Sequence, residues 1–127
     1  MNYEDINERL EELKTEDFIW IIYIAIIFFS WMANYLERKY FLFNDLKAKD
    51  DYRKIMSIIF IILVVIYTYF LKESIEDLRK LKPDDSEKKK ILTYLSFVAS
   101  LLIFISGLIF LFIAISDESL DVELAFN

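Results

Sequence analysis

Histidine and cysteine are absent from this chain, and glycine and proline occur once each. Their absence removes the usual zinc sites, haem ligation through histidine, thiol nucleophiles and the histidine base of intramembrane serine proteases. With no thiol there is no disulfide and no lipidated cysteine. The lone glycine, Gly107, excludes the phosphate-binding loop and the dinucleotide fingerprint, which both need several. Turn residues are also too few for a β-sheet. Charge is missing from three long stretches, residues 18–36, 55–71 and 91–115, none of which contains an Asp, Glu, Lys or Arg. Proton-coupled pumps, voltage sensors and most ion-coupled transporters place charges inside such stretches, so active transport is disfavoured.

What the chain does contain is 57% hydrophobic and 28% charged residues, segregated into blocks. A soluble domain interleaves the two classes at helical or strand period. Blocks of this length predict an all-α integral membrane protein with three transmembrane helices. About 20 residues at 1.5 Å each cross a ~30 Å hydrocarbon core. The 19 residues of the first stretch fit, and the 25 of the third cross with tilt. The middle stretch, 17 residues, is short by roughly 4 Å, a gap that snorkelling Arg53, Lys54 and Lys72 close. Phe18, Trp20, Trp31 and Tyr35 crowd the expected boundaries of the first, and Tyr67, Tyr69 and Phe70 one end of the second. All three are too long for barrel strands.

The flanking segments divide the rest. In residues 1–17, Tyr3, Ile6, Leu10 and Leu13 keep a three-four spacing, which predicts a short amphipathic N-terminal helix. Its seven acids have the wrong sign for a signal peptide, so the first stretch is expected to stay in the mature protein. Residues 37–54 mix six bases with the patch Tyr40, Phe41, Leu42 and Phe43, and read as a basic interfacial loop. Ile75, Leu78 and Leu81 extend the second helix to about residue 82 as a cytosolic extension that Pro83 stops. Asp84, Asp85 and Ser86 then offer caps within a turn at 83–90. An acidic tail follows from 116 to 127.

On a helical wheel, each span carries one small or hydrogen-bonding side. Thr93, Ser96, Ser100, Gly107 and Ala114 fall within an arc of about 60°. Tyr23, Ser30 and Asn34 share a side of the first span, and Ser57 and Thr68 a side of the second. In lipid, helices join through close backbone approach and interhelical hydrogen bonds, so these ten residues are the expected packing positions. A pore lining needs more polar groups, continuous from one interface to the other. The run Lys88, Lys89 and Lys90 beside a span suits anionic lipid headgroups. The acids around it exclude a nucleic-acid site. Asp84, Asp85 and Glu87, and the acids of the tail, lack the alternating oxygens and turn glycine of a calcium loop. No metal, cofactor or catalytic residue is expected.

These features point to a small non-catalytic component of a membrane assembly, acting through helix–helix association with copies of itself or with another membrane protein. The alternative is an oligomeric pore or membrane-permeabilising effector, holin-like or channel-like only in size, helix number and charged ends. An enzyme acting on lipid would have to work with Ser, Thr, Asp or Glu alone.

Three crossings place nine bases on the face of the N-terminus and second loop, and six on the other. The positive-inside rule then favours a cell-membrane protein with a cytoplasmic N-terminus and an external C-terminus, although the first helix alone, two against six, argues the reverse. Single-cysteine labelling checks this in a chain free of native thiols. Ser119→Cys is expected to react with an impermeant reagent in whole cells, and Ser86→Cys to be protected. The opposite pattern inverts the orientation.

Overall fold

In a computed structural model, which describes residues 2–116, the chain forms three α-helices: α1 (Tyr3–Phe43), α2 (Leu46–Arg79) and α3 (Glu87–Ser116). All three are long and apolar enough to cross a membrane. The ends are closed by local side chains. Asn2 caps α1 by accepting from the Asp5 amide at 2.9 Å. Between α1 and α2 only Asn44 and Asp45 are non-helical. Asn44 adopts the left-handed conformation (φ 50°, ψ 40°) that ends a helix, a role glycine usually fills and asparagine tolerates. The Asp45 carboxylate accepts from the Lys47 and Ala48 amides, both at 3.1 Å, and starts α2. At the other turn, the Asp85 carboxylate accepts from the Lys82 amide at 2.7 Å, and the Ser86 hydroxyl accepts from the Lys89 amide at 3.1 Å.

Two of the expected segments take another form. Residues 3–17 do not make a separate short helix: they are the first turns of α1, which runs without a break into the apolar stretch. The basic segment 37–54 is not a loop either, being helical apart from Asn44 and Asp45. The physical reason is the same in both places. Neither boundary contains a Gly or Pro, and charge alone does not stop a helix whose backbone bonds are satisfied within the segment. At the far end, α2 continues past Leu71 but stops at Arg79, with Lys80 as its cap.

The helices pack as an antiparallel series with α2 in the middle. Lys80 Nζ lies 3.0 Å from Glu8 Oε1, which joins the start of α1 to the end of α2. Phe60 of α2 stacks on Phe110 of α3 with ring centroids 5.6 Å apart. Among the described residues, α1 and α3 pack on α2 but not on each other. The N-terminus and the α2–α3 turn therefore share one end of the molecule, and the α1–α2 turn and Ser116 share the other. The core joins Ile26 and Ala33 of α1, Tyr52, Met56, Ile59, Phe60 and Leu63 of α2, and Ala114 of α3.

Every helix turns a seven-residue repeat inward. On α1 it runs through Glu12, Ile19, Ile26, Ala33 and Tyr40; on α2 through Tyr52, Ile59, Ile66 and Glu73; on α3 through Thr93, Ser100, Gly107 and Ala114. All of these are buried or half-buried. A spacing of 3.5 residues keeps one seam facing a neighbour along the length of two slightly crossed helices. On α1 and α2 the repeat passes unbroken from charged into apolar sequence, so the charged ends belong to the same packing as the spans.

At Gly107 the α3 backbone lies tight against α2. A Cβ there would lie 2.9 Å from Tyr67 Cδ2 and 3.4 Å from Val64 Cγ2. Gly107→Leu is expected to cost about 1–3 kcal/mol by overpacking. Phe112→Leu, at a site 69% exposed, should cost little. Thermal unfolding in detergent measures both, and equal shifts would remove Gly107 from the interface.

Candidate functional site: a polar cleft between the three helices

Because α1 and α3 stand apart, a cleft of about 400 Å³ opens between them over α2. Its mouth is charged and its floor carries hydroxyls. Arg9, Glu12 and Glu16 come from α1, Glu73 and Asp77 from α2. Deeper, Tyr23, Tyr67 and Ser100 face the cavity, with Ser96 and Ile103 along the α3 wall. Glu12 and Tyr23 are eleven residues apart, so the cleft descends roughly 16 Å along α1, from the charged end into the apolar stretch.

The mouth is dominated by negative charge. Arg9 is the cation among the lining residues, 3.0 Å from Glu12 and 3.8 Å from Glu16. Its hydrogen bond to Glu12 and the charge of Glu16 raise its pKa. Among the described residues Glu73 has no such partner. Partial burial, and then the charges of Glu12, Glu76 and Asp77, push its pKa up, with Lys80 opposing. The Glu8 contact in turn raises the pKa of Lys80. Among the described residues no group of acids converges closely enough to hold a metal ion. The cleft therefore offers hydrogen bonds and a negative potential.

The expected packing residues separate into several settings. Tyr23, Ser96 and Ser100 meet in the cleft. Thr93 donates to the Lys89 carbonyl at 2.8 Å and lines an adjoining recess with Asp77, Lys80 and Ser96. Gly107 and Ala114 are buried against α2. Ser30 is half-buried, its hydroxyl enclosed with no partner among the described residues. Ser57 is half-buried at the opposite end of the molecule, beside Arg53 and Ala114. Asn34 is exposed. Thr68 is exposed too, donating to the Val64 carbonyl at 2.7 Å. The three lysines also differ. Lys88 has no ion pair among the described residues, Lys89 pairs with Asp85 at 3.3 Å, and Lys90 pairs with Glu87 at 3.7 Å and donates to the Pro83 carbonyl. The acidic tail lies outside the described residues.

The charged mouth was not among the expected site residues. Its signal is present nonetheless, since Glu12 and Glu16 sit on the same seven-residue repeats as Ile19 and Tyr23.

A raised carboxyl pKa has a definite sign. The fold favours the protonated form of Glu73, so that contribution is complete below its ordinary value of 4.5 and is lost as pH rises through the raised value. Glu73→Gln should therefore stabilise the protein at neutral pH, with the gain shrinking toward zero as pH approaches 4.5. Thermal scans of both proteins across that range check it. A difference that does not change with pH would mean Glu73 is not strained. No protein-family model, curated protein or solved structure matches this chain, so the reading of the cleft rests on its own residues.

Proposed function

We propose that this chain is a small, non-catalytic integral membrane protein that works as a subunit or accessory component of a membrane assembly, through helix–helix association. One observation carries the reading: among the described residues the two outer helices pack on α2 alone, and they leave much of their apolar surface uncovered. Trp20, Ile24, Phe28 and Trp31 on α1, and Leu102, Ile109 and Phe112 on α3, are all exposed. In water such a surface would be an aggregation liability. In a bilayer it is matched by lipid and by neighbouring helices. The partner is a second copy or another membrane protein.

The pore reading asks for a wet path from end to end. Below Tyr23 and Tyr67 the three helices join through Ile26, Phe60, Leu63 and Phe110, all apolar. A hydrophobic constriction of this kind excludes water and ions. Conduction would need an oligomer with the polar sides of several copies turned together.

The test uses the purified full chain in liposomes. We expect it to float with the vesicles, to resist carbonate extraction and to crosslink to itself or to a co-purifying membrane protein. Neither small ions nor a small dye should leak. Leakage that Ser100→Leu or Asn34→Leu abolishes, with the oligomer intact, would promote the pore reading. Failure to float would defeat the membrane reading itself.

A further inference from the structure

Arg53 stands two residues before the apolar stretch of α2, at the end of the molecule that carries the α1–α2 turn. Its Nε is enclosed with no acceptor, and among the described residues the side chain has neither a hydrogen bond nor an ion pair. Of the other bases in 37–54, Arg38 and Lys47 are exposed and the remaining three are engaged. Lys39 lies 3.5 Å from Asp45, Lys54 lies 3.1 Å from Asp50, and Lys49 sits over the Tyr40 ring at 5.5 Å. A half-buried guanidinium without a partner carries a desolvation cost that calls for an anion.

Beside Arg53 a recess of about 500 Å³ opens between α2 and the last turn of α3, lined also by Asp50, Lys54, Ser57, Ile58 and Ile115. Ile58 is shared with a second recess, about 330 Å³, lying between α1 and α2. That recess is lined only by apolar side chains, among them Ile22, Ile26 and Phe29 of α1 and Ile55 and Ile62 of α2. Lys54, Ile58 and Ile62 form one i, i+4 row, so a ligand crossing Ile58 passes from the basic recess into the apolar one. From Arg53 to Ile62 the helix rises roughly 13 Å.

We propose that this double recess binds one anionic phospholipid, with the phosphate on Arg53 and an acyl chain laid over Ile58 into the isoleucine groove. The proposal rests on the membrane reading above. A guanidinium fork matches two phosphate oxygens, and the Ser57 hydroxyl is placed to donate a further bond. Asp50 and Lys54 neutralise each other, so Arg53 supplies the net charge. The apolar groove selects a lipid over a free phosphate, which would leave it empty. This site is distinct from the lysine run 88–90, where Lys89 and Lys90 are occupied within the turn.

Native mass spectrometry of the full chain in neutral detergent tests the site, with phosphatidylglycerol, phosphatidylcholine and inorganic phosphate as probes. We expect one phosphatidylglycerol per chain, bound about tenfold more tightly than phosphatidylcholine and not displaced by millimolar inorganic phosphate. Arg53→Ala should lose that tenfold, and Arg53→Lys should keep part of it. Ile58→Trp, at a site 57% exposed, should weaken phosphatidylglycerol binding with the charge unchanged, and stands in if Arg53→Ala loses its helical circular dichroism. Changing Lys14, an exposed base at the other end of the molecule, to Ala should leave binding intact. Equal binding of the two lipids, no loss in Arg53→Ala together with Ile58→Trp, or displacement by inorganic phosphate each overturns the proposal. Vesicle flotation of the unaltered chain and Arg53→Ala is the separate control. If both float without lipid preference, the site alone fails; if neither floats, the membrane reading fails as well.

Discussion

Ile26 and Ala33 on one outer helix and Ala114 on the other are buried in a single core only because α2 stands between them. Both outer helices depend on that one central element, since among the described residues they do not pack on each other. The constraint behind it is close approach. Where helices gain little by hiding apolar surface from one another, they must interlock, and interlocking needs small side chains opposite large ones. Gly107 against Tyr67 and Val64, and the stacked pair Phe60 and Phe110, are the two forms this takes between α2 and α3. The seven-residue seams carry the same logic along much of each helix, on α1 from Glu12 onward.

That central position also creates the openings. Two helices packed on a third without meeting leave a trough, and what lines the trough depends on depth. At the end shared by the N-terminus and the α2–α3 turn, α1 and α2 are charged where α3 is already apolar on its outer face, with Tyr94, Leu95 and Val98 exposed. Thr93, Ser96 and Ser100 turn toward that charge, which accounts for a hydroxylated side on an otherwise apolar helix. The same side becomes Gly107 and Ala114 further along, where it meets α2 directly. One stripe thus does two jobs, lining a polar cleft and then allowing close contact.

Residue type along the chain fixes a good deal without any tertiary information. Three uncharged stretches of helical length, with too few glycines and prolines for sheets or long loops, determine an all-helical chain with three apolar helices. The missing His and Cys determine which chemistries are disfavoured. The side of α3 that is small or hydroxylated is also readable, because it depends only on the angle between successive residues. The charged segments are less legible. Residues 3–17 and 37–54 look like a leader and a loop when charge is taken as a boundary, yet helix ends are set by capping and backbone bonding. Asn44 and Asp45 carry that information in two residues, easily lost among six bases.

What only the tertiary structure decided is which helices touch. A wheel shows that a helix has a special side; it says nothing about whether that side meets another helix, a cavity or the surroundings. Asn34 and Thr68 turned out exposed, Gly107 and Ala114 enclosed, and Tyr23 and Ser100 placed across a cleft, although all six read alike from spacing. Likewise Arg53 looks like one base among several in the sequence, and becomes distinct only through the packing that encloses its Nε without an acceptor. The reason is that periodicity is a property of one segment, set by 3.6 residues per turn, whereas contact depends on the mutual placement of segments, which a single helix does not encode.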